Sequence, residues 1–285
     1  MATNIENKYF YHYTSMDVLI NILNNYREKH SDVKCHDLIF WASSIFTMND
    51  SQEMNHGINV FKELVPFNED FFQIDPKERL DTSMIDSEHV INDYTHTPFV
   101  LSFSGNRDDL AMWTMYGGAG YGVALKFSSD VVSSPSFSKK GIGLKSVYYG
   151  KGFDKFDAFV EIYNKGLIKL RKCVNEEERM ACKNRTLSDI YYHLCPFIKE
   201  ESYKNENESR ISYNNVPVNY VKFRNRNKNI IPYIEVPIPS KYLKEIIIGP
   251  CCNIEINKSS ISFLLNCCGL GDIKLTNSNI PYRDI

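Results

Sequence analysis

Short strand-like apolar runs in this chain repeatedly end in polar or ionisable residues. Four such stretches, YFYHYTS, FWASSIFTMNDSQE, LSFSGNRDDLAMWTMYG and ENESRISY, are spread along the sequence. Runs this short can bury their apolar faces only by pairing into a sheet. Packing alone has no need for a histidine, an Asn-Asp pair or closely spaced carboxylates at their ends, so the stretches read as element ends meeting at one pocket. Helical patterns and glycine turns separate the runs without regular βαβ spacing. The expected fold class is therefore α+β: a bent or split, mainly antiparallel sheet with helices and a central helical insertion.

With 285 residues, 43% of them hydrophobic, the chain can bury a large core and is not a disordered polymer. The expectation is one α+β domain over residues 1–285, with a lid or insertions at 66–97 and 151–200. The 33 basic residues nearly balance the 35 acidic ones, so no global field draws the chain to nucleic acid or an anionic membrane. Eight cysteines without a secreted framework read as reduced thiols, and neither CHD at 35–37 nor the later cysteines have zinc spacing, so no metal is expected. The amino end lacks the apolar run of a signal peptide and no segment is long enough to span a bilayer, which points to a soluble cytoplasmic protein with no membrane partner. The sequence does not fix the oligomeric state.

Residues 9–13 read as a strand, with Thr14 or Ser15 capping a helix whose apolar side is Met16, Leu19, Ile20 and Leu23. Residues 38–45 form a second strand, and Asn49, Asp50 and Glu53 open a helix that Pro66 is expected to end. The acidic segment 68–96 is weakly periodic. A strand at 99–103 leads to a helix begun by Asp108 or Asp109 and closed by Gly117 and Gly118, after which 121–127 and 147–149 return as strands. The pattern turns helical over 153–174, with Phe156, Val160, Tyr163, Leu167 and Leu170 inside, and again over 187–194. Strands follow at 209–213, 231–236 and 243–248, while 204–207 and 225–229 read as loops.

His12, at a strand-to-helix junction, can grip a sugar hydroxyl or move a proton, or can simply be a packed histidine bonded to a backbone carbonyl. Tyr11 and Tyr13 alternate with it and read as packing residues. Asn49, Asp50 and Glu53 suit a helix cap and an arginine partner. Trp113 and Tyr116, three apart on a helix, can border one cavity and stack on an aromatic ligand, or belong to the core. Glu206, Glu208 and Arg210 form E-x-E-x-R, which on a regular strand shares one face; the arginine fixes carboxylate geometry, leaving one glutamate structural and the other catalytic, or all three form a salt-bridge stripe. GGAGYG at 117–122 lies after a helix and before a strand, the reverse of a dinucleotide-binding fingerprint. Cys195 has no histidine partner at a recognisable spacing.

Taken in order, YHYTS at 11–15, FWASS at 40–44, Asn49-Asp50 with Glu53, FS at 103–104 with Met112-Trp113, Tyr116 and Gly122, E-x-E-x-R at 206–210 and IIIGP ending at Pro250 resemble a broad, largely uncharacterised bacterial domain family. Ser51 stands where that family usually has a proline. A weaker resemblance is to ADP-ribosyltransferases, particularly bacterial enzymes that modify nucleic acid, in the strand-His-x-Thr and following helix of YHYTSMDVLINIL and in the later IEVPIPSKYLKEIIIGP. That resemblance implies an ADP-ribosyltransferase-like fold and NAD as substrate. His12 would lie against the nicotinamide-side ribose and Glu208 would be the catalytic acid, with Glu206 as its rival. Tyr13, Thr14, Ser104, Trp113, Tyr116 and Arg210 would surround the nucleotide. The acceptor would be a nucleic acid, a protein side chain or water, and a role in toxicity or phage defence follows from the resemblance alone. An unambiguous R-x-x-E or S-T-S signature is missing. The alternatives are a noncatalytic nucleotide-binding domain on the same scaffold, or an unrelated nuclease or hydrolase.

Overall fold

The computed structural model describes residues 8–29, 37–48, 53–84, 96–133, 143–150, 157–226 and 228–282. The strands in chain order are β1 (Tyr9–Thr14), β2 (Asp37–Ser44), β3 (Phe99–Ser104), β4 (Val123–Ser128), β5 (Leu144–Ser146), β6 (Tyr148–Tyr149), β7 (Ile198–Lys199), β8 (Glu208–Tyr213), β9 (Lys222–Arg226), β10 (Asn229–Pro239), β11 (Leu243–Ile248) and β12 (Lys274–Asn277). The helices are α1 (Met16–Lys29), α2 (Glu53–Phe71), α3 (Leu110–Met115), α4 (Asp157–Leu170), α5 (Glu176–Leu194) and α6 (Ile254–Cys267). The fold is α+β with a mixed sheet: most pairings are antiparallel, while β11–β12 and β6–β7 are parallel.

The main sheet runs β12-β11-β4-β1-β3-β2-β10-β9, with β8 also on β3 and β5 beyond β8. It divides at β3. Strand β8 pairs with β3 from Phe99↔Tyr213 to Ser104↔Glu208 and so occupies one whole edge. On the other edge β1 meets β3 only at Tyr11↔Ser104, and β2 only at Ser43↔Val100 and Ser44↔Phe99. Between those contacts Leu101, Ser102 and Phe103 have no strand partner on that side among the described residues. Their backbone groups are exposed to whatever fills the split, since an unpaired buried carbonyl must find another donor.

One apolar cluster holds α1 and α6 to the sheet through Phe10, Leu19, Leu23, Phe40, Phe127 and Leu265, and a second joins α2, α4 and α5 through Phe61, Leu64, Phe159, Tyr163 and Ile190. Several sequence expectations are corrected here. In α1, Ile22 and Tyr26 share the buried side with Leu19 and Leu23, while Ile20 faces outward; in α4, Phe159 rather than Val160 faces inward. Phe156, Asn49 and Asp50 lie outside the described residues. Pro66 does not end α2, which continues to Phe71. Buried Val65 and Leu64 anchor the turn around the proline, and the next turn carries Glu69, whose carboxylate accepts from Leu80 N–H and Tyr163 Oη. Those contacts offset the backbone hydrogen bond that proline cannot donate. The loop expected over 225–229 instead contains the end of β9, which pairs with β10 from Tyr233↔Lys222 to Asn229↔Arg226.

Candidate functional site

A cavity of about 830 Å³ opens at the split in the sheet. Its lining includes His12, Tyr13 and Thr14 from β1, Trp41 and Ser43 from β2, Ser102 and Ser104 from β3, then Tyr116, Lys199, Tyr203, Glu206 and Glu208, and finally Arg224, Asn225 and Arg226. A pocket of this size, lined by apolar and polar groups together, is within the range of a small-molecule site.

His12 sits in the fork between β1 and β2. Its Nδ1 lies 3.0 Å from the carbonyl oxygen of Ser102, in the part of β3 that neither strand reaches. A carbonyl only accepts, so Nδ1 carries the proton and Nε2 keeps a lone pair. The ring packs edge-on to Phe40 at 5.3 Å and tilted to Phe103 at 5.7 Å. Burial is the main reason its pKa is lowered; the Ser102 hydrogen bond opposes that shift and the Arg224 charge adds to it. The imidazole is thus neutral near pH 7, with one nitrogen tied to the scaffold and the other free to accept. The packed reading of His12 accounts for Nδ1, and its place in the cavity lining leaves Nε2 available.

Across β3 lies a group of four buried charges. Lys199 at the end of β7 donates to Glu206 Oε2 at 2.6 Å and Glu208 Oε2 at 3.1 Å. Arg210 grips both oxygens of Glu208, at 2.6 Å from Nε and 2.7 Å from Nη2, and donates from Nη1 to the Pro196 carbonyl. Lys199 is 3% exposed, Glu206 and Glu208 6% each, and Arg210 0%. Burial alone would raise the Glu208 pKa; the charge and hydrogen bonds of Arg210, then Lys199, outweigh it and bring it down to about 2. Ser102 Oγ is close enough to add slightly to this effect, yet it makes no hydrogen bond of ordinary geometry. Glu206 Oε1 accepts from Tyr116 Oη at 2.9 Å, and burial pushes that phenol's pKa up. Among the described residues two acidic and two basic side chains pair directly, and that pairing offsets the cost of burying them.

Local sequence explains the placement. Glu208 and Arg210 share a face of β8, but Glu206 lies in the preceding 3-10 turn (Glu201–Glu206) and not on the strand, contrary to the expected single face. Asn207 takes a left-handed conformation (φ 45°), which asparagine tolerates, and returns the Glu206 carboxylate to the Lys199 ammonium. Ser104 Oγ secures the turn by donating to the Glu206 carbonyl at 2.7 Å while accepting from Asn106 N–H. In α3, Asp109 caps the helix by accepting from Met112 N–H at 3.0 Å, which orients Tyr116 one turn later.

The structure thus brings His12, Tyr13, Thr14, Ser104, Tyr116, Glu206 and Glu208 to one cavity. Trp113 and Arg210 are fully buried and do not line the cavity. Trp113 is fully buried against Tyr13 with Nε1 donating to Asp108 at 2.7 Å, and Arg210 holds Glu208 from the core side.

The sequence reading passed over Lys199, Tyr149 and Arg224. Tyr149 Oη accepts from Glu208 N–H at 2.8 Å and fixes the start of β8. The signal for Lys199 was its position in an otherwise apolar stretch just after Pro196, where a lysine needs a carboxylate partner. Cys195 is buried and its thiol is pushed well above its ordinary value, the opposite of an activated nucleophile. Among the described residues no group of three or more His, Cys, Asp or Glu gathers as metal ligands would, and no helix is long and apolar enough to cross a membrane.

A family model described as a protein of unknown function (DUF2971) matches residues 112–211, which is 100 of the 285 residues. The matched stretch holds Tyr116, Lys199, Glu206, Glu208 and Arg210, and stops short of His12 on one side and Arg224 on the other. No curated protein and no solved structure matches the chain.

Proposed function

We propose that the protein cleaves the bond between nicotinamide and ribose in NAD, passing ADP-ribose to an acceptor or to water. One juxtaposition carries this reading: a neutral imidazole and ion-paired carboxylates face a single cavity from opposite sides of β3, where the sheet divides. Tyr11, Ser104 and Glu208 share one cross-strand row, so about 10 Å separates the backbones of β1 and β8 on either side of β3.

In this reading the C1–nitrogen bond breaks with its electron pair leaving on nicotinamide. The positive charge developing on the ribosyl carbon is stabilised by a carboxylate beside it. Glu206 suits that role better than Glu208, the residue favoured by the resemblance. Glu208 already accepts three hydrogen bonds from Arg210 and Lys199, whereas Glu206 accepts one on each oxygen and keeps lone pairs for a ribose hydroxyl. Lys199, Arg210 and Glu208 are then positioning residues. The nucleophile bonds to C1 and its proton passes to His12 Nε2. Nucleic-acid bases, protein side chains and water are all chemically admissible acceptors.

Purified His12→Ala and Glu206→Gln proteins, confirmed as folded by circular dichroism, test the assignment through the rate of NAD consumption. Each is expected to lose about 100-fold or more; rates equal to that of the unmodified protein would remove both residues from the chemistry. A noncatalytic nucleotide-binding site is the second reading, favoured by Lys199 lying within 3.1 Å of both acids and neutralising them. Saturable NAD binding without turnover would support it.

A further inference from the structure

The β9–β10 hairpin lines another part of the cavity with Arg224, Asn225 and Arg226. Antiparallel register places Tyr233 opposite both Ser43 and Lys222, and Ile231 opposite Arg224. Directly paired residues project to the same face and faces alternate along a strand, so Trp41, Ser43, Tyr233 and Arg224 share the cavity side. The Arg224 guanidinium lies 5.0 Å from the Trp41 ring and 5.7 Å from that of Tyr233, and Nη2 donates to Ser43 Oγ at 2.8 Å. Its Nε is buried and donates to nothing among the described residues. Glu235 on the same face is taken by Lys222 at 2.7 Å, and neither Arg224 nor Arg226 forms an ion pair with a described residue. A half-buried arginine packed beside two aromatic rings, with no carboxylate among the described residues to balance it, presents guanidinium donors to the cavity.

We infer that Arg224, assisted by Arg226, forms an anion subsite that takes the diphosphate of a nucleotide whose sugar end reaches toward His12 and Glu206. The choice of a nucleotide as ligand rests on the functional reading above; the anion subsite rests on the hairpin. Trp41 and Tyr233 pack against the guanidinium, Ser43 accepts one of its donors, and the basic hairpin sets the direction in which a dinucleotide enters. Lysine would be a poor substitute, since it lacks the planar donor fork.

Isothermal titration calorimetry on the full chain, with ADP, adenosine and inorganic pyrophosphate as separate ligands, tests the subsite. The expected result is binding of ADP and pyrophosphate, with adenosine at least tenfold weaker than ADP. Arg224→Gln should weaken ADP binding tenfold or more and leave adenosine unchanged, with Arg224→Lys falling between. Equal affinities for ADP and adenosine, ADP binding unaffected by Arg224→Gln, or no binding of any of the three would overturn the inference. Should Arg224→Gln fail to fold, Arg226→Gln and the salt dependence of ADP binding decide the matter: unchanged ADP affinity in both would overturn it. Diphosphate binding through Arg224 without nicotinamide release from NAD would retire the catalytic reading alone, whereas NAD cleavage that keeps its KM in Arg224→Gln would retire the subsite alone.

Discussion

Replacing Glu208 with glutamine keeps the shape of the side chain and removes one charge from the buried cluster, leaving Arg210 and Lys199 without their shared anion. The Glu208 pKa is about 2 in the folded protein against 4.5 for an ordinary glutamate. A carboxyl group whose pKa is depressed by folding adds stability above its unfolded value and loses it as the pH falls through the folded one. At 1.36 kcal/mol per unit, the contribution is about 3 kcal/mol at neutral pH. Breaking a buried ion pair from one side independently costs about 3–5 kcal/mol. Urea unfolding at neutral pH should therefore show Glu208→Gln less stable by about 3 kcal/mol. The gap should hold down to about pH 4.5 and close as the pH falls toward 2. A variant as stable as the unmodified protein at pH 7, or a gap that does not change between pH 6 and pH 2.5, would refute the reasoning. The same cost makes Glu206→Gln the better probe of chemistry.

Other consequences follow from the same geometry. Because burial lowers the His12 pKa, the proposed reaction should fall only on the acid side, with a midpoint below the ordinary histidine value, as a pH–rate profile would show; a midpoint above that value would contradict the neutral imidazole. Tyr116→Phe removes the donor to Glu206 and should cost roughly tenfold in turnover with less than about 1 kcal/mol of stability, measured by parallel kinetics and urea unfolding. Gly122→Ala would place a Cβ 2.1 Å from the Thr14 carbonyl oxygen and 2.7 Å from that of Gly117, both backbone atoms, so its unfolding midpoint should drop sharply; an unchanged midpoint would show that the β1–β4 junction is looser than described.

Much of the strand framework was legible because alternation and turn residues announce it. β1, β3, β8 and β11 lie where their apolar runs predict, and the His12 junction follows from a strand that ends in Thr14 and Ser15 before a helix. The division of the sheet was legible only as a bend. Its cause is a matter of register, with β1 and β2 sharing one edge of β3, and register depends on long-range pairing that no local pattern records. β9 was missed because KFRNR carries polar residues at positions that face a cavity and so shows no apolar alternation. For the same reason Arg224 went unnoticed. α6 was missed because only Ile261 and Leu265 of its residues are buried, too narrow an apolar stripe to stand out. Within the candidate site, the residue types of E-x-E-x-R were informative, but the partner that joins the two acids, Lys199, is seven residues from Glu206 and reaches it only through the turn that ends at Asn207.

The central claim is that the cavity cleaves NAD, and nicotinamide released by the purified protein, quantified by mass spectrometry with and without a cell extract that supplies acceptors, tests it most directly. The account predicts release by the unmodified protein and its loss in His12→Ala and Glu206→Gln, with dependence on extract marking a transferase and independence marking a glycohydrolase. Absence of release under both conditions from protein that binds NAD, or equal release from all three proteins, would contradict it.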